Sequence, residues 1–148
     1  MGGIAVLKRF VEKYGDKHEY VYFGDSARAP YGNKTKEELK SYVIEIADHM
    51  QERDVDVLIS ACNTSSMYLH EVDFEDYFFQ VISLYDVMKD YFAKHKFRNQ
   101  KLALLATSTT IDSRRYLDWK VDIAPIKCPK LVPLIEAGDF DQAYDEWL

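Results

Sequence analysis

The residues best suited to chemistry are Cys62, Asn63, Thr64 and Ser65. They follow Val55-Asp-Val-Leu-Ile-Ser60-Ala61, an apolar run of strand character that ends in small residues. In an open α/β sheet, ligands bind beyond the carboxyl ends of the strands. Cys62 stands at such an end. Free backbone N–H groups at a helix start just after it would favour a thiolate and an anionic ligand. Asn63 and Thr64 add side-chain donors beside it. A buried, inert cysteine is the competing reading, because free cysteine is among the most buried residue types.

Two more polar turns follow apolar strands. Thr107-Ser108-Thr109-Thr110 comes after the run Lys101–Ala106, and Gly24-Asp25-Ser-Ala-Arg28-Ala-Pro30-Tyr31-Gly32 comes after Glu19–Phe23. Three loops at carboxyl strand ends can converge on one small ligand. Their hydroxyls, amides and backbone N–H groups suit a carboxylate. A phosphatase loop is excluded, because Ser65, Ser66, Met67 and Tyr68 offer no arginine to cradle phosphate. His70 is read as solvated or capping, and Asp25 and Arg28 as a pair that shapes its own loop.

The elements that position these turns can be read in order. Ile4, Leu7, Phe10, Val11 and Tyr14 recur at helical spacing from Gly3, with Gly15 as a stop. Glu19–Phe23 is aromatic and β-branched, a strand. Thr35 and Glu38 form a capping box ahead of a helix with Leu39, Tyr42, Val43, Ile46, Ala47 and Met50 on one face. The Cys62 strand follows, then a short helix from about Thr64 to His70. Phe79–Leu84 reads as a strand, Asp86–Lys96 as a helix and Lys101–Ala106 as a buried strand. Ile111–Trp119 is expected to be helical, Val121–Ile126 a strand, and Leu131–Ala137 a helix ended by Gly138. A last helix capped by Asp139 runs to Leu148, with Tyr144 and Trp147 in need of cover. Strands alternating with helices through short connections predict an α/β fold with mainly parallel sheets flanked by helices.

Composition narrows the function. The chain has 148 residues and a net charge of −6. With no basic patch, nucleic acid and anionic membranes are not expected partners. The cluster Lys94–Arg98 falls at a helix end, where cations suit the dipole. Cys62 and Cys128 lie far apart with no CxxC, and the four histidines lack metal-ligand spacing. That fits a reducing cytoplasm and no metal site. No apolar run approaches a membrane span.

Tyr22-Phe-Gly-Asp-Ser-Ala-Arg-Ala-Pro30-Tyr31-Gly32-Asn-Lys34 and Ala61-Cys62-Asn63-Thr64 together resemble two signatures of glutamate racemase, in the Asp/Glu racemase superfamily. Ala106-Thr107 to Thr110-Ile111, with Ser113 and Tyr116, is similar to a third family stretch, and Cys128-Pro129 to Gly138 to a fourth. Gly2-Gly3 with Val6-Leu7 resembles the first family helix. The resemblance implies a two-lobed fold, with a first lobe at 1–85 and part of a second at 86–148. It implies cofactor-independent racemisation of glutamate, supplying D-glutamate for bacterial peptidoglycan. In that chemistry one thiolate removes the Cα proton from one face and a second thiol returns one to the other. The resemblance makes Cys62 one of this pair. It assigns substrate contact to Pro30, Tyr31, Gly32, Asn63, Thr64 and Ser65, with Thr107 and Thr110 holding the carboxylate.

Departures accompany the resemblance. The family's opening strand, which ends in Asp-Ser-Gly, and its second cysteine segment, Gly-Cys-Thr-His-Tyr-Pro, have no counterpart here. Tyr85-Asp86 replaces an expected Pro-Gly, and Ala106 stands where glycine is usual. Cys128 matches a segment that is not the catalytic one. The expectation is therefore an incomplete racemase fold, impaired on its own. Without the opening strand between Glu19–Phe23 and Val55–Ser60, low stability or a homodimer that covers the gap is expected. The alternatives are a non-catalytic remnant that binds a dicarboxylate or amino acid, and a superfamily relative with another substrate.

Overall fold

Helix α2 is set by its first turn. Thr35 accepts from the Glu38 N–H, and the Glu38 carboxylate reaches back to the Thr35 N–H at 2.8 Å. From this capping box α2 runs Lys36–Gln51 and buries Leu39, Val43, Ala47 and Met50. The computed structural model describes residues 2–95, 97 and 100–145. Around α2 stand α1 (Gly2–Tyr14), β1 (Val57–Ser60), α3 (Asn63–Ser66), β2 (Gln80–Ser83) and α4 (Leu84–Lys94). β3 (Leu102–Ala106), α5 (Ser108–Asp112), β4 (Ile123–Lys127), α6 (Leu131–Ala137) and α7 (Phe140–Asp145) follow.

The fold is α/β with parallel strands. β1 pairs with β2, Val57 opposite Gln80 and Ser60 opposite Ser83. β3 pairs with β4, Leu102 opposite Ile123 and Ala106 opposite Lys127. Pro125 lies within β4, whose only partner among the described residues is β3. Proline is tolerated on such an edge because its missing N–H has no ladder bond to make.

One core cluster joins both halves of the chain. Leu39, Met67, Tyr68, Tyr85, Ile111, Tyr116 and Trp119 pack together. Phe92 stacks on Trp119 with ring centroids 5.2 Å apart. The Tyr85 hydroxyl donates to Asp118 at 2.7 Å, which gives a buried polar tip its partner. A second cluster places Ala47, Met50 and Phe79 against Leu58 and Val81, covering one face of the β1–β2 sheet. On the other face Val57 and Ile59 are 44% and 37% exposed. Parallel sheets are ordinarily covered on both faces, so this one is half open.

The structure corrects several expectations. Glu19–Phe23 forms no strand, and Val21, Tyr22 and Phe23 are exposed. A strand exists through its ladder, and no described strand lies beside this segment. The segment is held by side chains instead: Gly3 fits under the Tyr22 ring and Phe23 meets His49 edge-on. The helix expected from Thr64 to His70 divides into α3 and a 3₁₀ turn, Leu69–Glu71. That expected over Ile111–Trp119 divides into α5 and a 3₁₀ turn, Arg115–Trp119. Arg114 sits between the last two at φ 55, a left-handed conformation that no α-helix continues through. The last helix is seen over Phe140–Asp145, with the Asp139 carboxylate accepting from the Gln142 N–H. Trp147, Leu148 and part of the Lys94–Arg98 cluster lie outside the described residues. No helix among the described residues is long and apolar enough to cross a membrane.

Candidate active site

Cys62 keeps an extended conformation, φ −85 and ψ 116, as the residue before α3. Its carbonyl accepts from the Ser66 N–H at 3.0 Å and from the Ser65 hydroxyl at 3.3 Å. Ser66 donates its hydroxyl to the Ser60 carbonyl at 3.2 Å. The turn is thus fastened from beneath, strand end to helix. The Cys62 thiol is free and exposed, which removes the buried-cysteine reading.

The Cys62 turn meets the Thr107 turn through hydroxyls. Thr64 Oγ1 lies 3.1 Å from Thr107 Oγ1, and Thr107 Oγ1 lies 3.0 Å from Thr110 Oγ1. Thr110 donates back to Thr64 at 3.4 Å, closing a triangle. Thr107 also caps α5, its side chain accepting from the Thr110 N–H. Thr110 is 1% exposed and Thr64 6%. The triangle therefore lies beneath the surface on which Cys62 opens.

The third loop completes the ring. It carries a cis Ala29–Pro30 bond and a 3₁₀ turn over Tyr31–Asn33. The Tyr31 hydroxyl donates to the Asp25 carboxylate, to which Arg28 Nε donates at 2.6 Å. Arg28 also bonds Glu45 at 2.6 Å and lies over the Tyr42 ring. Burial, and then the Asp25 carboxylate, push the Tyr31 phenol well above its ordinary 10, and charge on Cys62 acts in the same direction. Tyr31 therefore stays neutral at physiological pH, its proton donated to Asp25. Gly32 lies against Thr107, where a Cβ would fall 2.6 Å from the threonine methyl.

Gly32, Tyr31, Cys62, Thr64, Thr107 and Thr110, named from three loops, are thus brought together. Pro30 is exposed at the loop's start, Asn63 is half-buried in the first turn of α3, and Ser65 turns inward to the Cys62 carbonyl. Cys128 is 3% exposed, its thiol turned to the Ile126 carbonyl. His70 pairs with Glu71 at 3.8 Å. Burial, and then Arg115, hold its imidazole below the ordinary 6.5. Among the described residues, no group of three His, Cys, Asp or Glu side chains is arranged to hold a metal. Two residues escaped the sequence reading. Glu45, partner of Arg28, is 17 positions away with no local signal. Thr109, which donates to the Gly32 carbonyl at 2.8 Å, had only its place in the threonine run.

The chain is 33% identical over 147 residues to glutamate racemase of Thermoanaerobacter sp. (strain X514), a match covering 93% of this chain. In structure it overlays glutamate racemase of Campylobacter jejuni subsp. jejuni with a TM-score of 0.83 at 30% identity, over 99% of this chain. Over nearly its whole length the chain is similar to glutamate racemases. It overlays the Thermus thermophilus glutamate racemase, solved in complex with beta-chloro-D-alanine, with a TM-score of 0.79 at 32% identity. The chain spans about half the length of the curated relatives it matches, 53% for Thermoanaerobacter, and 62% of the Campylobacter chain. No family model matches it.

Proposed function

We propose that this chain carries the Cys62 half of a glutamate racemase site, an amino-acid isomerase centre that uses no cofactor. The observation that carries this reading is the Thr64–Thr107 hydroxyl contact, which ties the Cys62 turn to a turn 43 residues away. The Thermus relative's complex with a β-substituted D-amino acid favours a ligand of the same kind. The substrate is glutamate. Its Cα–H is a very weak acid, so the site must hold the carboxylate and stabilise the charge that forms. Backbone donors at Gly32, the Asn63 amide and the Thr64 and Thr107 hydroxyls serve that role, with Pro30, Tyr31 and Ser65 shaping the turns and Thr110 bracing the threonines. The Cys62 thiolate takes the Cα proton and becomes a thiol, and the electron pair moves into the enolate of the carboxylate. Return of a proton from the same thiol regenerates the starting enantiomer, whereas inversion requires a second acid on the opposite face.

The lobes are assigned as 1–85 and 86–148, with the site at their junction. Supply of D-glutamate for peptidoglycan in a bacterial cytoplasm is the setting this chemistry fits. A second reading, a dicarboxylate-binding remnant without turnover, is favoured by one observation: Cys128, the other cysteine, is buried and bonded to its own strand. Calorimetric titration with D- and L-glutamate, alongside alkylation of Cys62 by iodoacetamide, tests the shared premise. Saturable binding that slows Cys62 alkylation is expected. Absence of binding to either enantiomer overturns both readings.

A further inference from the structure

We propose that Thr109 is a positioning residue, a hydroxyl latch that holds the Tyr31–Gly32 loop over the Thr107 turn. It rests on the glutamate-site reading and adds to it a residue that touches no substrate. Thr109 Oγ1 lies 2.8 Å from the Gly32 carbonyl and 3.3 Å from the Lys34 carbonyl, so its single proton is shared between two peptide oxygens of one loop. Those residues are 77 and 75 positions away in sequence. Within the loop, the 3₁₀ turn supplies one backbone bond, Lys34 N–H to the Tyr31 carbonyl at 3.1 Å. The near end is fixed by the Tyr31–Asp25 contact. The far end is fixed by Thr109.

The anchor is itself rigid. Thr109 lies in the first turn of α5, whose cap is Thr107, and its own carbonyl accepts from the Tyr68 hydroxyl at 3.3 Å. Tyr68 is a core residue at 9% exposure. The donor draws the loop inward, and Gly32, having no Cβ, permits the approach onto Thr107. The two features are complementary: a hydroxyl with nothing to pull would be idle, and a glycine with nothing pulling it would leave a gap. Through this latch the loop that carries neutral Tyr31 is held at the Cys62 side of the threonine triangle. Without it two half-buried carbonyls lose their donor and the loop relaxes outward.

Three variants and two readouts test the latch. Thr109→Val is close in shape and lacks the proton, Thr109→Ser keeps the proton, and Thr109→Ala lacks both hydroxyl and methyl. Hydrogen exchange over residues 31–35 is expected to quicken about fivefold in Thr109→Val and Thr109→Ala, the equivalent of one neutral hydrogen bond. It is expected to return to the original rate in Thr109→Ser, with α2 and β3 unchanged throughout. D-glutamate affinity by calorimetry is expected to fall by up to the same factor, about fivefold, in Thr109→Val and to recover in Thr109→Ser. Unchanged loop exchange in Thr109→Val overturns the latch. Quickened exchange with unaltered glutamate affinity overturns the positioning role. If the original chain binds no glutamate, the glutamate-site reading and the positioning role fail together, and loop exchange separately decides whether the latch exists.

Discussion

Gly32 lies so close to Thr107 that a methyl group on its Cα would sit 2.6 Å from the threonine Cγ2 and 2.7 Å from its Cβ. Real Cβ atoms do not approach so closely, so the loop and the threonine turn meet without slack. Gly32→Ala is expected to lower unfolding stability by about 1–3 kcal/mol, the range for overpacking a tight contact. Thr107→Ala on top of it restores only part, because the Thr107 Cβ remains in the way. Urea unfolding of the two variants checks this. A Gly32→Ala protein as stable as the original would show that the loop does not sit where it is placed.

Acid should loosen the fold in two stages. Glu38 is held below the ordinary carboxylate value of 4.5, first by the Thr35 backbone N–H and then by its hydroxyl, and Glu71 by its bond to Lys36. His70 is held below 6.5 by burial and then by Arg115. In each case the folded state binds the proton less readily than the unfolded chain. The stabilisation is therefore present above the ordinary value and is lost as pH falls through the folded one. Urea midpoints are expected to decline below pH 6.5 and more steeply below 4.5. His70→Gln should flatten the first stage alone, and Glu38→Gln part of the second.

Val57 and Ile59 leave one face of the β1–β2 sheet open. Exposed apolar residues on a parallel sheet favour a second copy as cover. Sedimentation velocity is expected to show mass rising with concentration in the micromolar range. Ile59→Lys, which puts a charge on that face, should return the chain to monomer and remove any dependence of its melting temperature on concentration. A concentration-independent monomer before any substitution would count against this.

What was legible in the sequence followed from local chemistry. The Thr35–Glu38 box, the Leu39–Met50 face and the Gly138 stop each depend on residues within a few positions of one another, and each appears where expected. The meeting of three loops was expected from strand ends along one sheet, but the Cys62 and Thr107 turns follow β1 and β3 in separate sheets and the third loop follows no strand. The failures are of another kind. Glu19–Phe23 has strand composition, but pairing depends on a neighbour that composition does not encode. Arg114 breaks a helix from the left-handed region, where arginine gives no warning. Thr109 and Glu45 act on residues 77 and 17 positions away, which no window along the chain contains.

The central claim is that Cys62 moves the Cα proton of glutamate, and proton NMR in heavy water tests it directly. Each glutamate enantiomer is incubated with the chain and with Cys62→Ser, and loss of the Cα–H signal is followed together with configuration. The account predicts deuterium at Cα with configuration retained, and none with Cys62→Ser. Exchange undiminished in Cys62→Ser, or no exchange from either enantiomer with the original chain, would contradict it.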